Sequence, residues 1–343
     1  MRSARVTIKD ISRRAEVSIA TVSKVLNHDY SRMSDETRER VLRIAGEMNY
    51  RPNMLARGLV SHKFKLLGLI IPDISNPYYG EMARGMTDEA QALDYNAMIS
   101  NTDNQSARGI SSIQTMAEYN VSGVALTGAI GIAEENLALV RHYRIPHVIV
   151  ENHAPGLDYC VYVNNYSGSY KAAQLLIEYG HREIAYITGH AELHLPGDER
   201  LRGFVQAMAD AHLPVNPALL KCGGFTLDNG YRQTLSLLAR GEPFTAIACS
   251  NDLIALGAYK ALRESRLRVP QDISLVGFDD MFMTNTMEPR LTTVKQPAYE
   301  IGEEAIRMLV NRIEENPIAE KVKCFEPLLV SRDSIAPPAR REG

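Results

Sequence analysis

The sequence predicts a small all-helical head followed by a larger α/β body built from two similar units. Three observations carry this. The 343 residues exceed the ~100–200 of one ordinary domain, and 45% of them are apolar, enough to fill more than one core. The formal net charge of −3 hides a split: residues 1–63 hold 13 Lys+Arg against 7 Asp+Glu, or +6, and the rest sum to −9. Helical spacing with capping residues dominates the first fifty positions, whereas short apolar runs alternate with longer amphipathic stretches from residue 66 onward.

In the head, Thr7 is a suitable N-cap with Asp10 three residues on, followed by Ile8, Ile11 and Ala15 at helical spacing. The chain turns at Glu16-Val17, and Ser18 opens a second helix with Val22, Val25 and Leu26 on one side. Ser34 caps a third, with Val41, Ile44, Ala45 and Met48 facing inward, and Pro52 places its end near Tyr50. Two short helices around a tight turn and a third behind them read as a helix-turn-helix or as a generic three-helix bundle. On the first reading Ile19, Ala20, Ser23 and Lys24 lie off the buried stripe, at the end that enters a major groove. The basic charge suits a polyanion or an ordinary solvated face.

Residues 52–63 form a linker. Asn53 to Leu59 is too short for a stable isolated helix, and Gly58 weakens it by ~1 kcal/mol relative to alanine, so it orders only against a partner. The boundaries expected are 1–51 for the head, 52–63 for the linker and 64–343 for the body.

In the body, strands are expected at 67–71, 97–101, 123–127, 147–150, 184–188, 219–222, 246–250 and 274–278. Helical stretches such as 81–93, 169–178, 203–211, 253–264 and 301–313 are expected between them. Such alternation means parallel sheets covered by helices, whose sites lie beyond the carboxyl ends of the strands. The residues found there are Asn76, Tyr78, Tyr79, Asp103, Thr127, Glu151, Asn251-Asp252 and Asp279-Asp280. Each lone carboxylate among them also reads as a helix cap or a solvated loop group. There is no GxGxxG, no GxxxxGK[ST], no GxSxG and no HExxH, so no cofactor, metal or hydrolytic nucleophile is expected. Four dispersed cysteines without CxxC spacing suggest half-buried thiols in a reducing compartment, and His181 reads as a structural turn residue. The start has no secretory signal and the longest apolar stretch, Leu66 to Ile71, is far too short to span a bilayer, so a cytoplasmic location is expected.

Three blocks in the head, Val6-Thr7-Ile8-Lys9-Asp10-Ile11-Ser12, Val17 to Asn27, and Asn49-Tyr50-Arg51-Pro52-Asn53, resemble the lactose repressor (LacI/GalR) family in order and spacing. So do Pro72 to Tyr79, Gly180 to Ile184, Arg200 before Gly203-Phe204, Ser250-Asn251-Asp252 and Gly277 to Asp280 in the body. The resemblance implies a headpiece, a hinge helix and a two-lobed core like that of periplasmic sugar-binding proteins, with three crossovers and an effector in the cleft. It divides the core at roughly 64–163 plus 293–325, and 164–292 plus 326–335.

By the same resemblance Ile19, Ala20 and Lys24 read bases, while Thr7, Ser18, Thr21, Ser23 and Asn27 anchor phosphates. Lysine stands where many members carry arginine; it can still donate to guanine O6/N7, without the planar fork. Asn53, Ala56, Arg57 and Leu59 fall in the hinge, with Leu59 as the wedge in the minor groove. Arg200, Asn251 and Asp279 are implied to bond effector hydroxyls, Tyr78, Tyr79 and Phe225 to line the pocket, and Thr127, Glu151 and Gln296 to make further contacts. His194 and Pro196 stand where purine-binding members have arginine and threonine, which weighs against a purine.

The function expected is therefore a homodimeric repressor that binds a pseudo-palindromic operator on double-stranded DNA under control of a sugar or sugar derivative, without a membrane and associated with the nucleoid when bound. A solute-binding protein fits the body but not the head. A carbohydrate-acting enzyme needs oriented carboxylates, and nothing in the sequence orients Glu151 and Asp279. The tail from Asp333 contains Pro337-Pro338 and no apolar heptad, so an added tetramerisation helix is not expected.

Overall fold

The computed structural model describes residues 6–26, 29–31, 33–50, 65–153, 156, 158–189 and 198–339, the Ile130 side chain apart. It divides into two compact units, Met1–Phe64 and Lys65–Gly343. The expected positions Asn27, Asn53, Ala56, Arg57, Leu59, His194 and Pro196 lie outside the described residues.

Among its described residues the first unit holds three helices, Ile8–Ala15, Ile19–Leu26 and Asp35–Glu47. Asp10 accepts from the backbone N–H and the hydroxyl of Thr7 (3.0 and 2.7 Å), fixing the first turn. Glu16 adopts a left-handed φ of 55°, and the Ser12 hydroxyl donates to the Val17 carbonyl at 2.6 Å, which makes the tight turn. Ile11, Ala15, Val22, Val25, Val41, Ile44 and Ala45 form the core. The third helix stops earlier than Pro52 alone requires. Asn49 takes φ 48°, and the N–H groups of Asn49 and Tyr50 bond the Gly46 and Ala45 carbonyls (3.0 and 2.9 Å). This is a Schellman ending with asparagine in glycine's usual place.

The second unit contains two all-parallel sheets. The first has six strands in the order β11-β5-β4-β3-β1-β2: β1 Leu66–Ile71, β2 Asn96–Asn101, β3 Gly123–Thr127, β4 His147–Val150, β5 Cys160–Val163 and β11 Val322–Phe325. The second has four, in the order β7-β6-β8-β9: β6 Ile184–Ile187, β7 Leu220–Lys221, β8 Ala246–Cys249 and β9 Ser274–Val276. Two further strands, β10 Thr293–Lys295 and β12 Leu328–Val330, pair antiparallel where the chain passes between the sheets.

Strand periodicity builds the layers. Leu67, Leu69 and Ala125 face one core with helices Pro77–Ala92 and Ala298–Ile313, while Ile70, Val124 and Leu126 face the opposite core. Both faces are buried, which is why these strands read as continuous apolar runs. The second sheet repeats the arrangement, with helices Asn165–Glu178 and Glu199–Asp210 on one face and Leu227–Arg240 and Asp252–Glu264 on the other.

Four strands, β5 and β10 to β12, were not expected from sequence, and helices Ser106–Glu118, Glu134–His142 and Leu227–Arg240 add to the helical stretches named from it. These strands are only three or four residues long and β11 carries polar residues in alternation, so they offer little apolar length to mark them. Helices also begin up to four residues before the expected starts. Their first turns are polar and held by side-chain caps: Asn76, Asn164, Asp198 and Asn251 accept from the N–H of Tyr78, Ser167, Leu201 and Ile254. The thiols are not uniformly half-buried: Cys160 and Cys249 are buried on strands, Cys222 is intermediate and Cys324 exposed on an edge strand. His181 is structural, its ring nitrogens 2.8 Å from Thr245 Oγ1 and 3.0 Å from the Ala336 carbonyl. No described helix is long and apolar enough to cross a membrane.

Helices Pro77–Ala92 and Ala298–Ile313 touch backbone to backbone. A Cβ at Gly85 would run into the Tyr299 carbonyl, and one at Gly302 into that of Met82. Gly85→Ala should therefore destabilise this unit by about 1–3 kcal/mol. A denaturation midpoint equal to that of the unsubstituted chain would show that the pair relaxes freely.

Candidate functional site

In the first unit the helix Ile19–Leu26 buries Val22 and Val25, which turns Ile19, Ala20 and Lys24 outward; Ile19 is 45% exposed. Ser18 caps this helix, its hydroxyl accepting from Thr21 N–H at 3.0 Å and lying 2.8 Å from the Thr21 hydroxyl. Ser34 caps the third helix in the same way through Thr37 N–H. Ser18, Ala20, Thr21 and Lys24 line a groove of about 520 Å³ together with Ser31, Ser34 and Thr37. Two helix N-termini with hydroxyl caps open on this groove, a setting that favours anions. Ser31, Ser34 and Thr37 were not singled out from sequence as groove residues; Ser34 was read only as a cap.

In the second unit the residues after the strands converge. The Tyr78 hydroxyl donates to Gln296 Oε1 at 3.4 Å, and Gln296 Nε2 donates to Asp279 Oδ1 at 2.7 Å. Asp279 Oδ1 lies 3.6 Å from Arg200 Nη1. Arg200 is fixed further by Asn165 Oδ1 (2.7 Å), the Ser250 carbonyl (2.5 Å) and the Phe278 ring beneath its guanidinium, 3.8 Å from the centroid. Asn165 escaped sequence reasoning because β5 did; the strand-end rule applied to β5 would have found it.

Tyr79 stacks edge-on against Tyr78, with ring centroids 5.2 Å apart. Glu151, at the end of β4 with φ 72°, is buried beside both tyrosines, Arg200 and Asp279. Its Oε2 atom and Thr127 Oγ1 on adjacent β3 are buried without a hydrogen-bond partner. Phe225 packs its ring against Gly189. Asn251 uses one acceptor site of its Oδ1 as the helix cap, which leaves its amide nitrogen for another role. Asp252 is buried and accepts from Met281 N–H (2.9 Å) and the Thr293 hydroxyl (2.6 Å), while Asp280 pairs with Arg332 and Asp103 with Arg108. Those three carboxylates are structural ties.

Burial pushes Glu151 up to about 7, against the opposing pull of Arg200 and the Tyr79 hydroxyl. Burial also raises Asp279 and, more strongly, Asp252, and it holds both tyrosine hydroxyls well above their ordinary range. Such a cluster can exchange several donors and acceptors with a polyol, because each sugar hydroxyl both donates and accepts.

Residues 7–53 match the family described as bacterial regulatory proteins, lacI family, and residues 173–335 match a periplasmic binding protein-like domain. The transcriptional regulator RegA of Clostridium saccharobutylicum is 36% identical over 330 residues, spanning 96% of this chain and 98% of its own. The chain belongs to the lacI family. It is accordingly a DNA-binding transcriptional regulator and not an enzyme. Among solved structures, the lac repressor dimer bound to operator and the anti-inducer ONPF superposes with a TM-score of 0.87 at 25% identity, covering 97% of this lacI-family chain and 100% of that one. The complex of the regulator CelR with cellobiose gives 0.72 at 28% identity, covering 96% and 100%.

Glu151 supplies a pH test. Its ordinary value is 4.5 and its folded value about 7, so between them the folded chain keeps a proton that the unfolded chain has lost. Its contribution to stability is full below pH 4.5 and falls as pH rises toward 7. Glu151→Gln carries no such proton, so its stability relative to the unsubstituted chain should grow from about pH 5 to about pH 8, by up to about 3 kcal/mol. A pH-independent difference in chemical denaturation would refute this.

Proposed function

We propose that this chain is a homodimeric, operator-binding repressor whose DNA affinity is set by a small sugar held in the cleft of the second unit. The observation that carries the reading is the chain Tyr78–Gln296–Asp279–Arg200 beside Thr127 Oγ1 and Glu151 Oε2, two buried oxygens with acceptor capacity left for a ligand. Buried polar atoms are normally satisfied, and a ligand hydroxyl would satisfy these. In this reading Arg200, Asn251, Asp279 and Gln296 bond the sugar, Tyr78, Tyr79 and Phe225 line it, and Thr127, Glu151 and His194 complete the pocket. Among the described residues Arg200 is the base of this cluster and already faces Asp279 at 3.6 Å, so an uncharged sugar fits better than a sugar acid or phosphosugar. The cellobiose bound by the related CelR supports a carbohydrate.

The DNA half of the reading assigns base contacts to Ile19, Ala20 and Lys24, and phosphate contacts to Thr7, Ser18, Thr21, Ser23 and Asn27. It assigns the minor groove to the hinge residues Asn53, Ala56, Arg57 and Leu59. The working domains are then 1–51, 52–63 and 64–343, the last in two lobes, 64–163 with 293–325 and 164–292 with 326–335. Two copies are required because one head reads half of a palindrome, and the dimer resides on the nucleoid while bound.

Two measurements test this. A thermal-shift screen pairing neutral sugars with their acid and phosphorylated forms should reveal a stabilising neutral sugar. Asp279→Ala should then abolish the response of operator binding to that sugar while leaving operator affinity within about threefold; a normal response overturns the assignment of Asp279. In DNA titrations, Lys24→Ala should lose about 1–3 kcal/mol of preference at one base pair per half-site. A uniform loss on every sequence would make Lys24 a phosphate contact instead.

A further inference from the structure

The helix Ile19–Leu26 carries an acidic neighbour that its DNA-reading role does not call for. Asp29 follows three residues after the helix ends, and its N–H donates back to the Lys24 carbonyl at 2.9 Å, folding the chain against the last turn. Its carboxylate is then divided between two tasks. Oδ1 accepts from the Ser31 N–H (3.1 Å) and the Ser31 hydroxyl (2.5 Å), while Oδ2 lies 4.0 Å from Lys24 Nζ. Both charged side chains are about half exposed, 50% for Lys24 and 48% for Asp29. Lys24 and Ser31 line the same groove as Ser18, Ala20 and Thr21. The two bonds from Ser31 also keep Asp29 ionised below the usual carboxylate range. A fixed negative charge thus stands beside the lysine on a face meant for a polyanion.

An exposed ion pair of this length contributes little to stability, so folding gives no strong reason for it. Its effect on DNA is larger in kind. A free lysine is a mobile point charge that any phosphate can capture, which raises affinity for all sequences equally. A lysine held by a fixed carboxylate offers less net charge to phosphates and is steered along the groove. The charge that remains acts best at short range, on an acceptor that the lysine tip reaches directly, such as guanine O6 or N7.

We infer that Asp29, anchored by Ser31, is a positioning residue that directs Lys24 toward base discrimination and away from general phosphate binding. The inference rests on the proposed DNA-reading role of this helix. Asp29 lowers non-specific affinity, and the ratio of operator to random-sequence affinity rises as a result.

The test uses the full chain and an operator selected by that chain from a library of palindromic duplexes. Affinities for this operator and for a random-sequence duplex are measured across a salt series for the unsubstituted chain, Asp29→Asn, Ser31→Ala, Lys24→Ala and Lys24→Ala/Asp29→Asn. Asp29→Asn should tighten random-duplex binding, with the advantage shrinking about 3.5-fold between 50 and 200 mM salt, as one added effective charge requires. The operator-to-random ratio should fall at least threefold, in the same direction for Ser31→Ala. With Lys24 already alanine, the fall in ratio caused by Asp29→Asn should vanish. Equal tightening on both duplexes, or the same fall in ratio without Lys24, overturns the inference while leaving the DNA-binding reading intact. Failure of the unsubstituted chain to select any sequence overturns that reading and the inference with it.

Discussion

The second unit hangs on the backbone of Asp279. Its φ of 117° lies where a side-chain-bearing residue sits only if its surroundings fix it, at a cost of about 1–3 kcal/mol. Here they do so from three sides. Its N–H donates to the Val294 carbonyl at 2.8 Å, its carbonyl receives Gln296 N–H at 3.4 Å, and its carboxylate takes the Gln296 amide and faces Arg200. Val294 and Gln296 belong to the segment that crosses between the two sheets, and Tyr78 reaches Gln296 from the helix after β1. One strained residue thereby ties together a loop of the second sheet, the crossing strand and the first helix of the first sheet.

That tie is electrostatic as much as geometric. Asp252 lies buried close behind Asp279, and two carboxylates in low dielectric resist ionising together. Asp252 is compensated by Met281 N–H and the Thr293 hydroxyl, Asp279 by Gln296 and Arg200. Arg200 is compensated in turn by Asn165, the Ser250 carbonyl and the Phe278 face. A network of this kind adds little net stability, since desolvation offsets most of the attraction. Its value is specificity of arrangement: removing one partner leaves a buried charge uncompensated, so the members hold one another in a single geometry.

Much of this was legible in the sequence. The central strands were legible because burial on both faces makes them plain apolar runs, and the strand-end rule then picked out Tyr78, Tyr79, Thr127, Glu151 and Asp279. The headpiece turn was legible from Thr7, Ser18 and Ser34, whose capping is local chemistry. The linkage among the site residues was not. Gln296 and Asn165 are ordinary polar residues whose roles depend on β10 and β5, strands of three and four residues without a periodic signal. Nor could the sequence divide labour among neighbouring carboxylates. Asp279 faces the cluster, whereas Asp280 turns to Arg332 and Asp252 stays inside, and that division is set by backbone direction over two residues.

The headpiece core has an engineering meaning. Its seven buried apolar residues all fall between Ile11 and Ala45, and its last helix is closed by the local bonds of Asn49 and Tyr50. A segment that fills its own interior and terminates its own last helix is a portable cassette. A splice in the segment that follows Tyr50 leaves the described interior of the first unit whole.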